Sequence, residues 1–360
     1  MQYNAIRRKT IPVRVGNLTI GGDAPIVIQS MCNTDPYDAQ ATYGQILELA
    51  RAGCQMVRVT VPTMEATRTV EKLREMDLPV PLVADIHFDY RIALRCAEIG
   101  IDKIRINPGN IGDDDRVAQV CRVCREKKIP IRIGVNSGSL EKHILEKYGS
   151  PVPDALVESA LYHCCLLEKY DFDQIVLSIK ASSVQAMVEA NRKLAGLVPY
   201  PLHLGVTEAG SPTRGLVKSA AGIGGLLSMG IGDTIRVSLT ADPVREITAA
   251  RQILQALEVE GQTGMDLVSC PTCGRTQIDL ISLVERFERE AEKRGLTDRP
   301  CKVAIMGCIV NGPGEAREAD FGVAGGKGEA IFFRKGQIVR KIKENEIIET
   351  LLAELEKPKA

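Results

Sequence analysis

The chain predicts a (β/α)8 TIM barrel followed by a small α/β domain, on three observations. Between residues 25 and 240 one unit recurs eight times: a β-branched run, a polar residue at its end, a loop with Gly, Pro, Asn or Ser, and a helix-period stretch. Strands alternating with helices imply a parallel sheet, and eight repeats are the number that closes a barrel. After the helical stretch DPVREITAARQILQALEVE, the segment GQTG marks a boundary, and a second, shorter set of strands and helices follows.

In chain order, VRVGNLTIGG reads as a hairpin placed to plug the bottom of the barrel. The eight strand candidates are PIVIQSMC, QMVRVTVP, PLVADIHF, KIRINPGN, PIRIGVNS, IVLSIKAS, PLHLGVTE and TIRVSLT, set between amphipathic stretches such as YGQILELARAG and DYRIALRCAEIG. The second domain reads as strand (MDLVSC), helix (ISLVERFEREAEKRG), strand (KVAIMG), a turn, two more strands (FGVAGG and EAIFFRKGQIVRKI) and a closing helix (EIIETLLAELEK). The expected division is 1–262 for the barrel with its hairpin and 263–360 for the C-terminal domain. With 360 residues, 44% of them hydrophobic, the chain can fill two cores.

Lysine plus arginine and aspartate plus glutamate number 46 each, so net charge argues for neither nucleic acid nor a membrane surface as partner. The absence of tryptophan and a 4% aromatic content argue against base-stacking platforms. The N-terminus MQYNAIRRKTIPVRVGN has no apolar h-region, and no stretch of about 18 apolar residues follows, so a cytoplasmic protein is expected. Eleven cysteines without a signal peptide point to reduced thiols and metal ligands over a disulfide framework.

Ligands of such barrels bind at the C-terminal ends of the strands. There the sequence places Arg58, Arg105, Arg132 and Arg236, in VRVT, IRIN, IRIG and IRVS, and Lys180 at the end of a fifth strand. Five cations converging on one mouth repel one another unless an anion of several charges joins them, and the planar fork of arginine suits phosphate oxygens. A single arginine of this kind usually turns outward to a helix carboxylate; five at equivalent positions favour a phosphate or diphosphate ligand. Asp85, His87, Asn107, Asn136, Glu208 and Ser238 surround them as donors, acceptors and a potential general acid.

Cys270 and Cys273 form the knuckle SCPTCGRT after a short strand, and Cys308 ends KVAIMG before the NGPG turn, beyond which Glu315 is the first charged residue. Cys301 lies at the start of that strand, roughly 20 Å from Cys308 at ~3.3 Å per residue, too far to share a site. Three thiolates and a carboxylate suit an iron–sulfur cluster that keeps one iron exchangeable. A structural zinc prefers a closed set of four Cys or His ligands, and this region has no histidine. Cys54, Cys96, Cys121, Cys124, Cys164 and Cys165 read as small buried hydrophobes, and Cys32 as facing the mouth without an evident partner.

SMCNTD, VRVTVP, ADIHFD, RINPGN, RIGVNSGSL, SIKAS, GVTEAG, CPTCGR and GCIVNGPGE together resemble the bacterial 4-hydroxy-3-methylbut-2-enyl diphosphate synthases of the non-mevalonate isoprenoid pathway. The resemblance spans nearly the whole chain, in the compact form that lacks the large extra domain of the plant-type enzymes. It implies a 4Fe-4S cluster held by Cys270, Cys273, Cys308 and Glu315, and the substrate 2-C-methyl-D-erythritol 2,4-cyclodiphosphate. Flavodoxin or ferredoxin is the electron donor it implies. On this reading Arg58, Arg105, Arg132, Lys180, Arg236 and Ser238 clamp the diphosphate, Asp85, His87, Asn107 and Asn136 orient the carbon skeleton, and Glu208 protonates the departing hydroxyl. The last barrel helix delivers the chain to the barrel bottom, about 30 Å from the mouth at ~1.5 Å per residue, so a head-to-tail homodimer is expected in which the cluster domain of one subunit caps the barrel of the other. A barrel lyase or transferase with a structural zinc, and a cluster-bearing sensor without turnover, are the competing readings.

Overall fold

The computed structural model describes residues 7–107, 110–111, 114–138, 140–259, 264–309, 314 and 316–357. The chain divides into two compact units, Met1–Val259 and Glu260–Ala360.

In the first unit, eight strands form a single parallel sheet. They are β3 (Val27–Met31), β4 (Met56–Thr60), β5 (Leu82–Asp85), β6 (Lys103–Ile106), β7 (Ile131–Asn136), β8 (Ile175–Lys180), β9 (His203–Leu204) and β10 (Thr234–Ile235). Neighbours follow chain order except that β10 lies between β3 and β9, and a bridge from Leu177 to Leu202 closes β8 onto β9. The expected barrel is therefore present with all eight expected strands. Its Val and Ile side chains on the outward faces, such as Val57, Ile104 and Ile133, are buried under a layer of helices. Asp38, Asp89, Ser183 and Asp242 cap four of these helices by accepting backbone N–H bonds in the first turn, so each helix starts where its βα loop ends.

The leading hairpin pairs β1 (Val13–Val15) with β2 (Leu18–Ile20) across Gly16 and Asn17. Gly16 has φ +56°, as a two-residue type II′ turn requires of its first central residue. Val13, Val15 and Ile20 are fully buried against Val27, Met56, Val83 and Val176 from the N-terminal halves of four barrel strands. The hairpin thus seals the end opposite the mouth.

The second unit is a five-stranded sheet of β11 (Met265–Ser269), β12 (Cys301–Met306), β13 (Phe321–Gly325), β14 (Glu329–Arg334) and β15 (Gln337–Lys343), in that spatial order. The first three run parallel and the last two antiparallel. Where the sequence suggested one long strand over EAIFFRKGQIVRKI, the structure has two. Lys335 and Gly336 both take positive φ, 45° and 74°, and turn the chain back as a tight hairpin. A helix over Leu280–Lys293 buries Leu280, Leu283, Phe287 and Ala291 at helical spacing, and a closing helix over Ile347–Leu355 packs with it on one face of the sheet.

Among the described residues no helix is long and apolar enough to cross a membrane.

Candidate functional site

Strand register decides which side chains share a level inside the barrel. With the observed pairing, inward residues of alternate strands fall into layers of four. One layer consists of Arg58, Arg105, Ser178 and Arg236. Above it, toward the mouth, lie Met31, Asp85, Gly134 and Gly205, and below it Gln29, Val83, Arg132 and His203. Barrels ordinarily fill these layers with Val, Ile and Leu; this one fills them with charge.

All five cations expected at the mouth line one cavity of about 180 Å3, with Asp85, His87, Asn136 and Ser238 among its other walls. Arg58, Arg105, Arg132 and Lys180 are buried and Arg236 is half-buried. Of the five, Arg236 alone among the described residues also faces a helix carboxylate, Glu246 of the helix over Pro243–Ala256, and it lines the cavity nonetheless. Asn107 is buried at the end of β6, on the same inward face as Arg105. Glu208 follows the cavity-lining Thr207 but is itself exposed, in a left-handed backbone conformation (φ +52°), and is not part of the cavity wall. Cys32 does not face the mouth. It is buried beside Thr42, Val59 and Val70 under the outer helices, where burial raises its thiol pKa to about 12.

Two carboxylates partly balance the cations. Arg105 donates from Nη1 to Asp85 Oδ1 at 3.0 Å, and Arg58 Nε lies 3.5 Å from Asp85 Oδ2. Burial alone would raise the Asp85 pKa, but Arg58 and Arg105, with lesser help from His87 and Arg132, outweigh it and hold the carboxyl at about 2. On the helix over Pro243–Ala256, outside the cavity lining, Glu246 accepts from Ser30 Oγ and from the Leu239 backbone N–H, both at 3.1 Å, and sits 3.4 Å from Arg236 Nε. That ion pair lacks hydrogen-bond geometry. The Nε atoms of Arg105, Arg132 and Arg236 and the ammonium of Lys103 are buried without a hydrogen-bond partner among the described residues. Unmet buried donors are costly, and for the three arginines, which line the cavity, a polyanion there is the group that would relieve both desolvation and repulsion.

Two glycines make the space. A Cβ on Gly134 would lie 2.5 Å from Arg105 Nε, and one on Gly205 would lie 2.8 Å from the Arg236 carbonyl oxygen and 2.9 Å from Lys180 Nζ. Sequence reasoning did not single out Gly134, Gly205, Met31, Ser178, Thr207 or the buried Lys103. Gly134, Ser178 and Lys103 sit two residues from a residue that it did single out, on the same strand face.

In the second unit, Cys270 and Cys308 follow the C-terminal ends of the adjacent parallel strands β11 and β12. The Gly307 N–H donates to Cys270 Sγ at 3.3 Å, and the Gln277 N–H ties the knuckle back to the Gly307 carbonyl at 2.9 Å. Gly307 permits that approach, since a Cβ there would meet the Thr276 side chain at 2.9 Å. Cys273 is exposed, and donation from the Arg275 backbone N–H and then its side chain lowers its thiol pKa, which favours the ligating thiolate. Cys301 lies at the opposite end of β12, paired with Met265. Glu315 lies outside the described residues, and among those described no three His, Cys, Asp or Glu side chains come together around one metal ion. The donor set nevertheless suits iron and sulfur: it is rich in thiols and free of histidine, and backbone N–H groups are aimed at its sulfurs. Five of the six remaining cysteines expected in the core, Cys54, Cys96, Cys121, Cys124 and Cys164, are buried, whereas Cys165 is exposed on its helix.

Fold and site together define a barrel protein with a cation-lined cavity at the C-terminal ends of its strands and a second, thiol-bearing sheet domain. Residues 10–251 match the GcpE TIM-barrel domain and residues 266–357 the GcpE protein C-terminal domain, and the chain belongs to this family. It is 56% identical to the 4-hydroxy-3-methylbut-2-en-1-yl diphosphate synthase (flavodoxin) of Fusobacterium nucleatum, over 96% of both chains. The proteins of that name from Clostridium tetani and Geobacter sulfurreducens are each 54% identical, over 97% and 98% of this chain and 99% and 98% of theirs. Among solved structures, the type I 3-dehydroquinate dehydratase of Clostridium difficile (12% identical, TM-score 0.52) aligns over 70% of this chain and 99% of its own. That likeness shows the barrel fold alone.

Burial, followed by repulsion from Arg236, Arg58, Arg132 and Arg105, pushes the Lys180 pKa well below that of a free lysine. An anion placed among these cations reverses the repulsion and raises it. Binding of a diphosphate between the two pKa values must therefore take up protons, visible as a dependence of the calorimetric heat on the ionisation enthalpy of the buffer. The uptake should be absent in Lys180→Gln; buffer-independent heats in the unsubstituted protein would show that the anion does not reach Lys180.

Proposed function

We propose that this chain catalyses the reductive opening and dehydroxylation of 2-C-methyl-D-erythritol 2,4-cyclodiphosphate to 4-hydroxy-3-methylbut-2-enyl diphosphate, a step of isoprenoid precursor synthesis by the non-mevalonate route. The observation that carries the reading is a polyanion cavity of five cations in a chain more than half identical, over nearly all its length, to enzymes of that name. The reaction consumes two electrons and two protons, opens one C–O bond to the diphosphate ring and releases a hydroxyl as water. Flavodoxin, the donor in the names of the relatives, fits as the electron source here too.

Arg58, Arg105, Arg132, Lys180 and Arg236, with Ser238, hold the diphosphate and supply the positive potential that its growing charge needs as the ring opens. Asp85 holds Arg58 and Arg105 in place, and together with His87, Asn107 and Asn136 it offers polar groups that orient the hydroxylated carbon chain. Glu208, exposed just beyond the cavity-lining Thr207, is the residue assigned to protonate the departing hydroxyl. Its left-handed backbone is the kind of strained conformation found at functional sites. Cys270, Cys273, Cys308 and Glu315 would hold a 4Fe-4S cluster, which supplies single electrons and an iron open to substrate oxygen. A carboxylate as fourth ligand suits that role because it is harder than thiolate and releases iron more readily.

Serine at Cys270, Cys273 or Cys308 should abolish the broad visible absorption of anaerobically prepared protein, while Cys301→Ser should keep it. Glu315→Cys should retain the absorption but lose most turnover. Loss of colour in Cys301→Ser, or near-normal turnover in both Glu315→Cys and Glu315→Ala with the absorption intact, would overturn this ligand set.

The active form is read as a head-to-tail homodimer. The helix over Pro243–Ala256 carries the chain roughly 20 Å back from the mouth at ~1.5 Å per residue, and the short GQTG segment follows it. A partner's cluster domain would then serve each barrel. Mixing Cys273→Ser with Glu208→Gln protein should restore part of the activity that each lacks alone; mixtures as inactive as their components, under conditions where subunits exchange, would refute the arrangement.

A further inference from the structure

Met31 ends β3 on the inward face, between Arg58 of β4 and Arg236 of β10. Its thioether sulfur is the acceptor that the two guanidiniums share. Arg58 Nε and Nη2 approach Sδ at 3.2 and 2.9 Å, and Arg236 Nη1 at 3.7 Å. Met31 is only partly buried, and both arginines that approach its sulfur line the cavity. A thioether is a weak acceptor and is oxidised by peroxides to a sulfoxide, whose oxygen accepts hydrogen bonds strongly.

We propose that Met31 is an oxidative modification site that closes the anion cavity from within. A hydroperoxide transfers one oxygen atom to Sδ. The sulfur loses two electrons, the O–O bond breaks, and the peroxide leaves as water or an alcohol. The new S–O group points an oxygen at Arg58 and Arg236, in the position that a phosphate oxygen would otherwise occupy, and it stays there until a methionine sulfoxide reductase removes it with electrons from a thiol. The inference rests on the diphosphate-binding role proposed for Arg58 and Arg236. It adds that the cavity itself responds to peroxide.

The test measures binding of 2-C-methyl-D-erythritol 2,4-cyclodiphosphate by calorimetry, so that damage to an iron–sulfur cluster does not enter the readout. Full-length protein is compared before hydrogen peroxide treatment, after it, and after methionine sulfoxide reductase with thiol, with peptide masses locating each added oxygen. Met64 and Met229, both exposed, serve as internal oxidation controls. Oxidation at Met31 should weaken binding by roughly tenfold or more, the worth of about one charge-assisted hydrogen bond, and the reductase should restore it. In Met31→Leu, affinity should be the same before and after peroxide, although Met64, Met229 and the cysteines are still exposed to it. Oxidised Met31 with unchanged affinity, or Met31 left intact when Met64 and Met229 are fully oxidised, overturns the proposal. Failure of untreated protein to bind the cyclodiphosphate overturns the diphosphate role and this inference together.

Discussion

Most of this structure follows from the cost of burying several positive charges inside a β-barrel. Arginine and lysine are strongly hydrated, and bringing them together in a low-dielectric interior is unfavourable twice, by desolvation and by mutual repulsion. The chain lessens that cost with two carboxylates, one in the cavity wall and one on an outer helix. Asp85 bridges Arg58 and Arg105, and Glu246 faces Arg236 while itself fixed by Ser30 and Leu239. The remainder is left unbalanced. Lys103 Nζ and Arg132 Nε have no hydrogen-bond partner among the described residues. A site in this condition is held ready for an anion by the rest of the fold.

The fold supplies what that readiness requires. Apolar side chains on the outward faces of the strands and the helices over them form one large core, which holds the strands against the repulsion within. The hairpin closes the far end, so the charged interior opens only toward the mouth. Gly134 and Gly205 give the long basic side chains room to lie along the strand walls. In the second unit the same economy applies to sulfur. Two parallel strand ends present Cys270 and Cys308, and Gly307 lets the knuckle fold back beside them.

The eight barrel strands were legible because each pairs a β-branched run with a polar terminus, and the five cations were legible because they interrupt Val and Ile runs at equivalent points. The layer beneath them was not. Gln29 and His203 in that layer, and Lys103 below it, are as polar as the residues above, but a single strand does not reveal its depth in a barrel; that is set by stagger between strands. Cys32 was misplaced for a related reason, since one step along a strand exchanges the inward face for the outward one. The hairpin at Lys335–Gly336 was missed because KG resembles a strand interruption less than NG or DG does, although both residues adopt the positive φ that such a turn needs. Glu208 was expected at a strand end, but β9 stops at Leu204 and Glu208 lies four residues beyond it in an exposed loop, with a left-handed backbone that sequence alone does not mark.

The central claim is that the buried cations of the barrel exist to hold a diphosphate. It is tested most directly by a crystal structure of the anaerobically prepared protein with 2-C-methyl-D-erythritol 2,4-cyclodiphosphate. The account predicts diphosphate oxygens within hydrogen-bond reach of Arg58, Lys180 and Arg236 inside the barrel mouth, with the Arg58 guanidinium turned from Met31 to the ligand. A cyclodiphosphate bound elsewhere, with these three side chains making only the intramolecular contacts described above, would contradict it.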